Sequence, residues 1–439
     1  MDIQKVLGKL GIEELNPMQI AVGKSIADSQ DDVVVLSPTG SGKTLAYLLP
    51  MIQLLDAGYD QLQMVVIVPG RELALQSATV LRDMGNPLRA MCVYGGRPAM
   101  DEHRMMKKVR PQVLFATPGR LNDHIAKSNI DTTDVKYLVI DEFDKCLAMG
   151  FHDEMRKAMQ FLPDVRRRVL LSATDADSIP HFVNMQKVRR VDFLNDDNRT
   201  EKRISVYSVR SPQKDKLETL SRLLRQLGEQ SSIVFLNYRD SVERTEEYLR
   251  SQGFATSLFH GGLDQKRRED ALYKFSNGSA RVFVATDLAS RGLDIPDVDN
   301  IIHYHLPLHQ DEYVHRVGRT ARWTKLGSAF FILGPEEEMP DYVDQRVEDY
   351  DIADQLPPPP PPKMATIYIG KGKKDKISKG DIAGFLCKKG GLEKQELGRI
   401  DVAERYAYAA VAFNKLQQVL NLTKGEKIKG IKTVIEPVR

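Results

Sequence analysis

The chain has 439 residues, of which 42% are hydrophobic and 28% charged, with three cysteines and a net charge of only +3. That length exceeds one ordinary core, so two or three domains are expected. No run approaches the roughly 18 apolar residues of a membrane span, and the start, MDIQKVLGKLGIEEL, lacks the apolar stretch of a secretory leader. Cys92, Cys146 and Cys387 lie far apart without metal-ligand spacing, which suits a reducing compartment, and the cytoplasm is expected. The small total hides an asymmetry. Residues 363–439 carry 17 Lys/Arg against 8 Asp/Glu, net +9, and the remainder is −6. One end of the chain is built to meet a polyanion.

In chain order, DVVVLS, MVVIVP, QVLFAT, YLVID and RVLLSAT alternate with helical patterns in the first half, and SSIVFLN, RVFVAT, NIIHYHLP and SAFFIL in the second. Near-continuous Val/Ile/Leu runs separated by helix-length segments predict parallel sheets covered on both faces. Two α/β domains follow, 1–200 and 201–355. An acidic stretch leads into six consecutive prolines, so 356–362 is read as an extended linker. Beyond it, 363–439 has the order βαββαβ, a small α+β domain whose sheet is expected to keep one face open.

The first segment with chemistry is VVVLSPTGSGKT, residues 33–44, a strand feeding a glycine-rich turn and then a helix. Backbone amides of Gly40, Ser41, Gly42 and Lys43 at the helix start are placed to wrap a phosphate. Lys43 would neutralise β/γ oxygens and Thr44 would hold Mg²⁺. The strict phosphate-loop pattern has Gly where this chain has Ser37. A second strand, LVID, ends on two carboxylates, Asp141 and Glu142, where a nucleotide hydrolase needs one group for the metal and one for the attacking water.

Taken together, the motifs over about residues 10–335 resemble the DEAD-box family of ATP-dependent RNA helicases. SPTGSGKT, PGRELALQ (69–76), TPGR (117–120), DEFD (141–144), SAT (172–174), HGGLDQKRRE (260–269), ATDLASRGLDI (285–295) and HRVGRTAR (315–322) match in order. The resemblance implies two RecA-like domains, ATP and Mg²⁺ as cofactors, and RNA-stimulated hydrolysis of ATP to ADP and phosphate. It assigns adenine recognition to Gln19, Mg²⁺ to Thr44 and Asp141, the base for water to Glu142, and the ribose to Gly292 and Asp294. Arg319 and Arg322 would meet the γ-phosphate. His315 would relay to SAT, and Asp144 would hold the acidic loop and SAT together. RNA contacts fall on Arg71, Gly96, Thr117, Arg120, Gln265, Arg268 and Thr286.

Several positions depart from the family pattern. Phe143 stands where the family has Ala, and its ring is expected to pack near SAT; Ile12, Asn16 and Ala321 replace an aromatic, Thr and Gly. With Phe143 altering coupling, the alternative to a helicase is an ATP-gated RNA clamp with little hydrolysis-coupled unwinding.

The C-terminal segments IYIGKGKKDKI and LGRIDVAERYAYAAVAF are similar to the RNA recognition motif-like domain of DbpA-type bacterial DEAD-box helicases. Bases stack on aromatics that project from a sheet while nearby lysines meet phosphates. Tyr368, Tyr406 and Tyr408 are the candidate stacking residues, and Lys373 and Lys374 the candidate phosphate contacts. The resemblance implies a monomer directed to structured ribosomal RNA of the large subunit, in ribosome biogenesis.

Overall fold

The computed structural model describes residues 2–96, 99–175, 179–194, 204–290, 295, 298–320 and 326–438. The chain divides into two compact units, Met1–Lys202 and a second formed by Arg203–Arg291 with Ile295–Arg439.

The first unit is built on seven parallel strands, β1 (Asp32–Leu36), β2 (Met64–Ile67), β3 (Ala90–Val93), β4 (Val113–Ala116), β5 (Tyr137–Ile140), β6 (Arg167–Ser172) and β7 (Val188–Asp192), in the order β3-β4-β2-β5-β6-β1-β7. Alternation along β1 explains why every residue in it is buried. Val33 and Val35 join one core, with Tyr47 and Val66, while Val34 and Leu36 join the other, with Ile67 and Ile140. After Asp32, this strand, covered on both faces, is apolar at each step.

The second unit repeats the plan. Strands β8 (Ile204–Arg210), β9 (Ser232–Phe235), β10 (Thr256–Phe259), β11 (Val282–Ala285), β12 (Asn300–His303), β13 (Gly327–Leu333) and β14 (Val347–Asp349) are parallel and run β10-β11-β9-β12-β13-β8-β14. Renumbered from its own first strand, this is the order of the first sheet.

All nine strands read from the sequence are present, and five more join them. Three of the additions, β3, β7 and β10, are sheet-edge strands of four or five residues, and β7 buries only one residue in five. The acidic stretch before the prolines supplies the other edge, β14, and packs Tyr350 and Ile352 on the second core.

The C-terminal residues form β15 (Met364–Ile369), β16 (Leu397–Val402), β17 (Ala407–Ala412) and β20 (Ile435–Pro437), antiparallel in the order β16-β17-β15-β20. A short hairpin, β18 (Lys427–Ile428) with β19 (Ile431–Lys432), precedes the last strand. Ile367, Ile369, Ala409 and Val411 face the helices Lys379–Lys388 and Leu416–Thr423 and make a core of their own. The opposite sheet face is not open. It lies against the helix Gln265–Ser276 of the same unit: Tyr273 stacks on Tyr408 at 4.8 Å between ring centroids, and Asn277 donates to Thr366 Oγ1 at 2.8 Å.

Candidate active site and RNA contacts

In the first unit the candidate residues follow the C-terminal ends of adjacent strands, where helix N-termini and loop amides collect. After β1 comes the phosphate loop. Gly40 and Gly42 have φ of 81° and 87°, the left-handed region that L side chains avoid. A Cβ on Gly42 would stand 2.5 Å from Gln19 Nε2, so any side chain there would also displace the Gln19 amide. Lys43 opens the helix Lys43–Met51, with Thr44 second in it. Its ammonium donates to the carbonyls of Ser37 at 2.5 Å and Pro38 at 2.7 Å. Burial pulls the Lys43 pKa down to about 8, an effect that the carboxylates of Asp141, Asp144 and Glu142 oppose.

Gln19 and Asn16 form a reciprocal cap at the start of the helix Pro17–Ala27, with Gln19 N donating to Asn16 Oδ1 at 2.8 Å and Asn16 N to Gln19 Oε1 at 3.0 Å. Asn16 also donates to Ser41 O at 2.9 Å and Gln19 to Gly42 O at 3.3 Å. Asn16, which stands for the usual Thr, therefore caps the helix and ties the phosphate loop to it.

After β5, Asp141 is 2% exposed and accepts from Glu142 N at 3.0 Å. Burial, then the neighbouring Glu142 charge, pushes its carboxyl up to about 7. Glu142 sits at φ 54°, a left-handed backbone in a non-glycine residue, as functional turns often show. One of its oxygens pairs with the buried Lys145 at 2.7 Å. Asp144 accepts from Thr174 Oγ1 at 3.1 Å, so it does join the acidic loop to SAT. The ring of Phe143 enters the core that holds Leu138, Ile140 and Leu170.

The residues expected to touch RNA follow β2, β3 and β4, the three strands on the other side of β5. Arg71 opens the helix Arg71–Asp83, and a Cβ on Gly96, itself at φ 91°, would lie 3.5 Å from the Arg71 guanidinium. Thr117 stands at the N-cap position of the helix Pro118–Ala126, its side chain making no capping hydrogen bond. Arg120 donates to Tyr94 O at 3.2 Å and lies 3.4 Å from Glu102, whose carboxylate also meets His124 at 2.8 Å. Arg71, Gly96 and Arg120 thus gather at the ends of β2, β3 and β4, on the far side of β5 from the phosphate loop.

In the second unit, Arg268 donates to Gly261 O at 2.6 Å and Leu263 O at 3.2 Å, and Gln265 begins the helix that Asp264 caps. Thr286 follows β11, its amide bonded to Phe259 O at 3.2 Å. These residues occupy the ends of β10 and β11, the counterparts of β3 and β4 in the first sheet. His315 and Arg319 are buried near the end of the helix Gln310–Val317. Gly292, Asp294 and Arg322 lie outside the described residues.

Comparison with known proteins decides the family. The DEAD/DEAH box helicase model matches residues 16–181, the helicase conserved C-terminal domain 215–324 and the DbpA RNA binding domain 366–437. The ATP-dependent RNA helicase DbpA of Escherichia coli is 33% identical over 97% of this chain and 94% of its own, and that of Bacillus subtilis 29% over 98% and 96%. The chain belongs to the DEAD-box ATP-dependent RNA helicases. It carries a DbpA-type RNA-binding domain, binds ATP and RNA, and has the RNA-stimulated ATPase of its family. The tandem RecA-like architecture is also that of the DEAD-box helicase Mss116 bound to single-stranded RNA and UDP-BeF, at a TM-score of 0.71, with 24% identity and 81% and 79% coverage. No helix among the described residues is long and apolar enough to cross a membrane.

Two contributors to this helicase site were not legible as functional residues. Lys145, which holds the carboxylate of Glu142, reads as one more charge after the acidic box. Arg316 is fully buried, forks onto Asp287 at 2.6 and 2.8 Å, and donates to Asn237 Oδ1 at 2.9 Å and His305 O at 2.8 Å. It fixes the helix that presents His315 and Arg319. HRVGRTAR contains three arginines; Arg316 and Arg319 are both buried, and the fork onto Asp287 is what marks Arg316 as structural.

The C-terminal candidates divide. Lys373 and Lys374 are exposed on a short turn, with Lys374 3.5 Å from Glu404. Tyr368, Tyr406 and Tyr408 form one cluster with ring centroids 5.4–6.0 Å apart, but the helix Gln265–Ser276 covers it. Tyr406 donates to Glu269 and Tyr408 to Asp270, and the Lys266 ammonium stands 4.7 Å over the Tyr368 ring. Burial first, then the adjacent carboxylates, pushes both tyrosine hydroxyls far up from their usual range.

Proposed function

We propose that this helicase opens short RNA duplexes by ATP-driven closure of its two RecA-like domains, and that its C-terminal domain directs it to structured ribosomal RNA during assembly of the large subunit. The carrying observation is that candidate RNA residues follow β2, β3 and β4, the strands next to β5 with its carboxylates, while the phosphate loop follows β1 at the same end of the sheet. Ligands at neighbouring strand ends can favour the same domain arrangement, which makes ATP and RNA bind cooperatively.

Hard oxygen donors at Thr44 and Asp141 fit Mg²⁺, and the buried Thr39 hydroxyl in the loop has no hydrogen-bond partner among the described residues. Bound there, the ion would neutralise phosphate charge. Lys43 would exchange the Ser37 and Pro38 carbonyls for phosphate oxygens, while the loop amides of Gly40, Ser41 and Gly42 hold the rest. Glu142 takes the proton of the attacking water, and Arg319 and Arg322 stabilise the charge that develops as the phosphoryl group leaves. Gln19 reads adenine, and Gly292 and Asp294 meet the ribose. Arg71, Gly96, Thr117, Arg120, Gln265, Arg268 and Thr286 grip the RNA backbone. The DbpA-type domain, its +9 charge and its exposed Lys373 and Lys374 support the ribosomal substrate. The wide spacing of the three unpaired cysteines suits the reducing cytoplasm, where we place its action.

A clamp with little hydrolysis is favoured by one contact, the Lys145 ion pair that occupies an oxygen of Glu142. Steady-state ATP hydrolysis with no nucleic acid, poly-A RNA, ribosomal RNA and single-stranded DNA at one fixed salt tests both. Strong stimulation by ribosomal RNA is expected. Equal stimulation by every RNA would remove the ribosomal assignment, and absence of hydrolysis throughout would establish the clamp.

A further inference from the structure

The helix Gln265–Ser276 has two occupied sides. One carries Gln265 and Arg268, the proposed RNA contacts; the other carries Lys266, Asp270 and Tyr273 against the C-terminal sheet. Glu269 stands between them. It is one helical turn from Gln265, whose side-chain amide donates to Glu269 Oε1 at 2.7 Å, and its other oxygen accepts the hydroxyl of Tyr406. A carboxylate only accepts, so the amide must turn its NH₂ group inward toward Glu269. The amide oxygen of Gln265 is buried too, without a hydrogen-bond partner among the described residues. Both polar ends of the amide are thereby withdrawn from a passing strand.

We propose that Tyr406 and Glu269 are positioning residues that couple docking of the C-terminal domain to RNA capture by the second RecA-like domain. While the domain is docked, Tyr406 fixes Glu269 in the rotamer that holds Gln265 back against its own helix. Loss of that hydroxyl frees the Glu269 side chain to sample solvent, weakens its hold on the amide, and lets Gln265 turn to a ribose or phosphate. The inference rests on the proposed RNA contact of Gln265. It makes Tyr406, a candidate for base stacking, a brake on the core instead.

The test is RNA-stimulated ATPase of the full chain, titrated with a short poly-A strand. Tyr406→Phe should lower the half-saturating RNA concentration about threefold, the size expected for one weakened hydrogen bond, with little change in maximal rate. Glu269→Ala should do the same, and Tyr406→Phe should then add nothing. In a Gln265→Ala background the Tyr406→Phe effect should vanish, an outcome that a general loosening of the docked domain does not produce. If Gln265→Ala raises the half-saturating concentration but Tyr406→Phe leaves it unchanged or raises it, the coupling is overturned and the RNA contact stands. If Gln265→Ala itself has no effect, the RNA contact and the coupling fail together.

Discussion

Glu142 combines three conditions rarely found at one side chain: a left-handed backbone, a carboxylate neighbour in Asp141, and an ion pair with the buried Lys145. Replacing it by Gln preserves shape while removing the ability to take a proton. Glu142→Gln should therefore lower maximal turnover at least about 100-fold, the usual span for a lost general base, while nucleotide and RNA affinities stay within a few-fold. Single-turnover phosphate release together with equilibrium binding measures both, and near-normal release would overturn the assignment. Motif order made Asp141 and Glu142 legible as candidates from the sequence, because residue type and strand end suggest their chemistry. The packing of Phe143 was legible in part. Its ring is expected near SAT, and it joins a core with Leu138, Ile140 and Leu170, the last on the strand that ends in Ser172 of SAT.

Strands with continuous apolar runs were readable because both faces demand the same residue class, whereas β7, with Arg189 and Arg190 at its centre, is held by pairing to β1 instead of by burial. What fixes that pairing is a charge at the first position of β1. The Asp32 carboxylate, 2% exposed, accepts from Arg168 N at 2.6 Å and Gln186 N at 2.8 Å, tying β1 to β6 and to the segment entering β7. Asp32→Ala strands two backbone amides and removes a buried anion 4.0 Å from the Arg168 guanidinium. A loss of about 2–4 kcal/mol in the first domain follows, to be read from denaturant unfolding; a loss below about 0.5 kcal/mol would show that water replaces the carboxylate fully. Sequence patterning alone gives no reason to prefer Asp at that position over any other strand-starting residue.

At the scale of the molecule, two sheets have identical strand order, the proposed function divides the chemistry between them, with phosphate loop and carboxylates on one and arginines on the other, and a basic domain is added to the second. The repeat was only partly visible in sequence, because the edge strands that complete the correspondence are short. The charge asymmetry was fully visible, since charge is additive and needs no fold, but its working surface was not. The sheet face that the tyrosines marked is covered by Tyr273 and its helix, leaving Lys373 and Lys374 among the exposed cations. Contacts between lysines and RNA phosphates release counterions, so affinity falls with salt by a slope near 0.7 per phosphate on single strands. If the turn at residues 373–375 grips ribosomal RNA, Lys373→Glu combined with Lys374→Glu should weaken half-saturation by a structured ribosomal fragment about tenfold at low salt. It should also flatten the log–log salt dependence by roughly 1–2. A short poly-A strand, held by the RecA-like domains, should keep nearly its original slope. Equal flattening for both RNAs would mean that the turn supplies a general field and not a ribosomal contact, and no flattening for either would leave these lysines as solvated surface.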